Sequence, residues 1–75
     1  MAFRQQLAAD LAAERYNFKH LAQEAQINRS YLSRIMTGQV CPSVHLATSL
    51  AIASNRLTGL DTYTPDQFLT IERLN

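Results

Sequence analysis

Apolar residues at the start of the chain recur at the spacing of a buried helix face. Phe3, Leu7 and Leu11 fall four residues apart, and alanines beside them widen the apolar stripe. Residues three to four positions apart lie on one side of an α-helix. The pattern therefore predicts a first amphipathic helix over roughly residues 2 to 15.

Two short helices are predicted to follow, separated by a tight turn. Asn17 is a good N-cap for a second helix that ends near Ala25. Asn28 is an equally good N-cap for a third helix over residues 29 to 36. Gly38 ends this third helix, because glycine adopts the left-handed conformation at a helix C-terminus without steric cost.

The last two predicted helices are also marked by their caps. Ser43 caps a fourth helix, for which Asn55 marks an early end. Thr64, with proline directly after it and Gln67 three positions on, forms a capping box for a fifth helix over about residues 65 to 73. The fourth helix buries a stripe with helical spacing: Leu46, Leu50, Ala53 and Leu57.

These five helices predict an all-α single domain over residues 1 to 75. The single cysteine, Cys41, allows no internal disulfide, and no Cys/His cluster has metal-ligand spacing, so we expect neither a metal nor a cofactor. His20 and His45 lack the nucleophile or paired carboxylates of a catalytic site, so we expect no enzyme. With no apolar run of about 20 residues and no secretory signal pattern, we expect a cytoplasmic protein that does not enter a membrane.

Charge is distributed unevenly along the chain, although the net formal charge is only +1. Residues 15 to 56 carry five basic side chains against the single acid Glu24, whereas both flanking segments are net acidic. A central concentration of positive charge favours binding to a polyanion. The alternative is an ordinary solvated surface.

The predicted third helix separates its apolar and polar residues sharply. On a helical wheel, Leu32 and Ile35 point to one side. The opposite side has two guanidinium groups, three hydroxyls and no acid, which suits the major groove of DNA, although it also describes the wet side of many amphipathic helices. Its members are Arg29, Ser30, Ser33, Arg34 and Thr37.

The segment beginning at Leu21, LAQEAQINRSYLSRIMTGQVCPS, resembles the helix-turn-helix of the Cro and phage-repressor (XRE-type) family. The resemblance implies a five-helix lambda-repressor-like DNA-binding domain, with the helix-turn-helix at helices 2 and 3 over about residues 17 to 38. It further implies a sequence-specific transcriptional regulator that binds duplex DNA, either a Cro-like repressor or a restriction-modification controller protein. The alternatives are an antitoxin or other protein-interaction module with a small protein partner, and a scaffold that has lost DNA binding.

The resemblance also assigns roles to residues. It implies that Arg29, Ser30 and Arg34 lie nearest the base edges, with Ser33 close by. Lys19 and Tyr31 each have an alternative role, as a solvated lysine and as a tyrosine at the edge of the core. The expected phosphate contacts are Asn17, Lys19, Asn28, Tyr31, Thr37 and Gln39.

Three departures from the family pattern carry structural expectations. Phe18 replaces a glutamine at the start of helix 2, so the contact of that glutamine with the DNA backbone is either lost or made by Asn17. Gln26 replaces the turn glycine, at a cost of about 1 to 2 kcal/mol if it adopts the left-handed conformation. Leu11 and Met36 together replace an ion pair, which an apolar pair can do without loss of stability.

A homodimer is expected to bind a near-palindromic DNA site. Ile52 lies away from the buried stripe of helix 4, so it should be exposed in a monomer. The apolar face of helix 5 is wider than a small core can bury. A two-fold dimer through this region would hold two third helices about 34 Å apart, one turn of DNA. The alternative is that these residues complete the core of a monomer. The residues assigned to the interface are Ile52, Phe68, Leu69 and Leu74.

Overall fold

The computed structural model describes residues 2–71, which form five helices and no strand. The all-α prediction is therefore confirmed over this part of the chain. The longest of these helices has 15 residues, and none of those described combines the length and the apolar character needed to cross a membrane. The helices are α1 (Phe3–Ala13), α2 (Phe18–Glu24), α3 (Arg29–Met36), α4 (Val44–Thr58) and α5 (Pro65–Leu69).

Side-chain caps begin the helices where the sequence predicts them. Asn28 Oδ1 accepts a hydrogen bond from the Ser30 N–H at 2.7 Å, and Ser43 Oγ accepts one from the Leu46 N–H at 3.0 Å. These bonds satisfy backbone donors that have no partner inside the helix. Gly38 has a φ of +81°, which confirms the expected left-handed stop after α3.

Three predicted helix ends differ from those in the structure. α1 ends at Ala13 rather than near residue 15, because Arg15 adopts a left-handed φ of +63°. α4 continues past Asn55 to Thr58, because the Asn55 side chain binds the backbone of Tyr63 instead of competing for its own helix. The Asn55 side chain therefore holds the connection between α4 and α5 against α4.

α5 also ends earlier than predicted, at Leu69 instead of near residue 73. Thr70 is its C-cap, and the Thr70 hydroxyl and N–H both donate to the Asp66 carbonyl, at 2.7 and 2.9 Å. Residues 72 and 73, the last two of the predicted helix, lie outside the described residues. At its start, the Gln67 side chain accepts the Thr64 N–H at 2.8 Å, in the predicted capping box.

Phe68 is fully buried inside the single chain, so its assignment to the dimer interface was wrong. Its ring lies perpendicular to that of Phe3, with centroids 5.0 Å apart, a favourable aromatic geometry. Because α5 has only five residues, this one side chain anchors the helix to the start of α1. The other fully buried large side chains that form the core are Leu7, Leu11, Leu21, Leu32, Ile35 and Leu50.

The turn between α2 and α3 holds the two helices in contact. Gln26 has a φ of +60°, so it adopts the left-handed conformation, at a cost of about 1 to 2 kcal/mol. The Ile27 N–H then donates to the Ala22 carbonyl at 2.9 Å, and the small Ala22 side chain is buried. Leu11 and Met36, the apolar residues expected to replace an ion pair, are both buried in the common core.

Candidate nucleic-acid interface

The two sides of α3 differ as predicted. Leu32 and Ile35 are fully buried and Met36 is nearly so, which fixes the helix to the core. The polar side of the helix is solvent-accessible along its length. The residues expected to contact bases are all exposed: Arg29, Ser30, Ser33 and Arg34.

An open depression of about 450 Å³ lies along this polar side, lined by the same four residues and Gln39. Gln39 lines this depression because the chain reverses direction directly after α3. The left-handed Gly38 lets the Gln39 N–H donate to the Arg34 carbonyl at 2.8 Å. The four residues and Gln39 thus form one surface, to which two helical turns and the following loop contribute.

The guanidinium groups of this surface have no carboxylate partner within residues 2–71. The ion pair found there joins Arg56 and Glu24 at 3.6 Å, and both belong to other helices. No acidic side chain is among the described residues that line the depression. The positive potential of Arg29 and Arg34 is therefore directed to solvent, where a polyanion can bind.

Asn17 caps α2 through two backbone hydrogen bonds. Its Oδ1 accepts the N–H of Lys19 at 3.0 Å and that of His20 at 3.4 Å. The side-chain oxygens of Asn17 and Asn28 are thus used for capping, and both residues remain exposed. A phosphate at either helix start would meet their side-chain NH₂ groups and the positive end of the helix dipole.

The other residues expected to bind phosphate lie on α2, on α3 and directly after α3. Lys19 is exposed, and Tyr31 is 38% exposed, so a large part of its ring contacts solvent. Thr37 is half-buried and donates its hydroxyl to the Ser33 carbonyl at 2.9 Å. Gln39 Nε2 donates to the same hydroxyl at 3.2 Å, which positions the exposed Gln39 amide at the end of the depression.

Arg4 was missed by the sequence analysis, which counted it in an acidic flank. It extends from α1 and lines a second depression of about 170 Å³ together with Phe18, Arg29, Ser33 and Met36. The sequence held a signal for this position. Arg4 precedes Leu7 by three residues and Leu11 by seven, so it continues the buried stripe of α1 towards α2 and α3.

The remaining reactive side chains lie apart from this surface. Cys41 is exposed, and its Sγ lies 3.6 Å from the Pro42 carbonyl. His20 is engaged in the cap of α2. Within residues 2–71, no three His, Cys, Asp or Glu side chains are grouped closely enough to hold a metal ion.

Comparison with protein-family models, with curated proteins and with solved structures finds no match to this chain.

Proposed function

We propose that this protein binds duplex DNA by placing α3 in the major groove. The observation that carries the proposal is the exposure of Arg29, Ser30, Ser33 and Arg34 on a helix whose other side is fully buried. The major groove is about 12 Å wide and accepts one α-helix. Arginine can donate two parallel hydrogen bonds to guanine, and serine hydroxyls can bind bases or phosphates.

In this proposal, α2 and α3 form a helix-turn-helix within a lambda-repressor-like domain. Two short helices of 7 and 8 residues, joined by a turn with a left-handed Gln26, support it. The resemblance of the segment from Leu21 to the Cro and phage-repressor family supports it independently. α2 then lies over the DNA backbone, with Asn17, Lys19 and the start of α3 near phosphates.

The proposed biological role is that of a transcriptional regulator that acts as a homodimer. One α3 spans too few base pairs to select a single site in a genome, and two-fold repetition doubles the site. Ile52, on the outer face of α4, is 52% exposed and supports an apolar contact between two copies there. Leu69 is half-buried and stays in the proposed interface, whereas Leu74 lies outside the described residues.

Selection of binding sites from a pool of random duplexes tests this function. We expect enrichment of a near-palindromic sequence whose halves are centred about one DNA turn apart. The double variant Arg29→Ala/Arg34→Ala should yield no enriched sequence. The control Arg56→Ala/Lys19→Ala loses the same two charges outside the base-contacting set and should enrich the original sequence, more weakly. If the unaltered protein enriches nothing and binds no duplex at low salt, the proposal is wrong.

A further inference from the structure

Arg4 has an unfavourable position for the stability of its own helix. It lies in the first turn of α1, where the helix dipole is positive, and no acidic residue occupies that turn. A cation at a helix N-terminus is destabilising. Proteins break local rules of this kind at functional sites, among other places.

No ion pair within the described residues offsets this cost. Arg4 is exposed and forms no ion pair within residues 2–71. Asp10, the acid on the same helix, is already bound by the Tyr63 hydroxyl and by the Gln6 amide. The guanidinium of Arg4 therefore remains available for an external anion.

The two depressions beside α3 share Arg29 and Ser33, so they form one continuous surface. This surface runs from Gln39, across α3, to Arg4 on α1. None of the described residues that line it is acidic. Arg4 thus supplies a third guanidinium at the edge of the surface, from a different helix than the other two.

The surroundings of Arg4 also position its charge. Its aliphatic stem shares the smaller depression with Phe18 and Met36, both of which are at least half-buried. Arginine stems pack along apolar surface while the charged end stays in water. Because Arg4 is exposed, its guanidinium is accessible to solvent beside Arg29 and Ser33 of α3.

We infer that Arg4 binds a backbone phosphate of the DNA strand next to the groove that α3 enters. This inference rests on the proposed function. The planar guanidinium can donate two hydrogen bonds to one phosphate. Because every sequence presents the same phosphates, Arg4 contributes to affinity and to the placement of α3, and carries no base preference of its own.

Salt titrations of DNA binding by three variants test the inference. Arg4→Met keeps an unbranched stem beside Phe18 and Met36 but removes the charge, and Arg4→Lys keeps the charge. Arg56→Met is the charge control, since it lowers the net charge equally at a site outside both depressions. Because Arg56 and Ile52 line one depression, the dimerisation of this variant is measured by sedimentation equilibrium alongside its DNA binding. Binding is measured on the selected duplex and on a random one, and unfolding in urea is measured in parallel.

Arg4→Met should weaken binding at least fivefold to tenfold at 0.1 M salt, equally on both duplexes, and lower the salt slope of the dimer by about two, one for each copy of Arg4. Its urea midpoint should be equal to or slightly above that of the unaltered protein, which a merely structural role would not produce. Arg4→Lys should retain most of the affinity, and Arg56→Met should retain both affinity and slope.

If the unaltered protein binds DNA and Arg4→Met binds as tightly, the inference fails while the proposed function stands. A loss confined to the selected duplex would also overturn it, because it would assign a base contact to Arg4. If the unaltered protein binds neither duplex, the proposed function fails and the inference with it.

Discussion

The backbone N–H of Asn17 donates to His20 Nδ1 at 3.1 Å, while Asn17 Oδ1 accepts the His20 N–H at 3.4 Å. This reciprocal pair is a capping box in which histidine takes the position usually held by glutamate or glutamine. The imidazole can accept this hydrogen bond only through an unprotonated Nδ1. The edge of the Tyr16 ring further positions His20, with centroids 5.2 Å apart.

Replacing His20 should weaken the start of α2. His20→Ala removes the acceptor for the Asn17 N–H and should lower the free energy of unfolding by about 0.5 to 1.5 kcal/mol. His20→Gln supplies the usual capping-box acceptor and should recover most of that loss. Urea unfolding at neutral pH measures both variants. Equal midpoints for His20→Ala and His20→Gln would show that the capping bond contributes nothing to stability.

Tyr63 connects the loop before α5 to α1 and predicts a stability change at alkaline pH. Burial, followed by its hydrogen bond to the Asp10 carboxylate and the charge of that group, raises the pKa of the Tyr63 hydroxyl well above its ordinary value of 10.0. The unfolded chain therefore loses this proton first. The stabilisation is complete below pH 10 and is lost as the pH rises from there towards the folded pKa.

Tyr63→Phe removes the titrating group and should flatten this part of the stability profile. At pH 8 the variant should be less stable by about 1 to 3 kcal/mol, because Asp10 loses a hydrogen-bond donor. Between pH 9 and 11.5 the difference in the free energy of unfolding between Tyr63→Phe and the unaltered protein should become smaller. Urea unfolding at intervals of half a pH unit measures it. A difference that stays constant over this range would contradict the raised pKa.

Ile52 is predicted to hold two copies of the chain together. Ile52→Asp places a charge in the proposed α4 interface and should raise the dimer dissociation constant about tenfold or more. Ala9→Asp, at an exposed position of α1, introduces the same charge and should leave association unchanged. Sedimentation equilibrium measures both, and circular dichroism checks that each variant folds. If Ile52→Asp associates like the unaltered protein, the interface lies elsewhere.

The helix starts could be predicted from the sequence because their determinants are local. Asn28 binds the backbone N–H two residues further on, and Ser43 binds the one three residues further on. Gln26 lies in the short turn between two helices, where the chain has to reverse direction. The polarity of α3 was equally predictable, since helical geometry alone decides which of its residues share a side. The exposure of the four residues assigned to base contacts followed from this periodicity.

Three of the errors concern residues whose partners lie outside their own stretch of sequence. From the sequence alone, Asn55 predicts a helix end. In the structure its side chain instead binds the backbone of Tyr63, eight residues further along the chain. An apolar side chain such as Phe68 suits both a dimer interface and the core of a single chain. Its contact with Phe3, which is distant in sequence, places it in the core. Arg4 belongs to the α3 surface because the start of α1 borders a depression lined by Arg29, Ser33 and Met36. A charge count along the chain does not contain this information.

Arg34 gives the most direct test of the central claim that α3 contacts the bases of duplex DNA. Binding of Arg34→Ala and Lys19→Ala is measured on the selected duplex and on a random one at the same salt concentration. Arg34→Ala should cost about 1 to 3 kcal/mol on the selected duplex and much less on the random one, whereas Lys19→Ala should weaken both alike. Equal losses on the two duplexes for Arg34→Ala would contradict the claim.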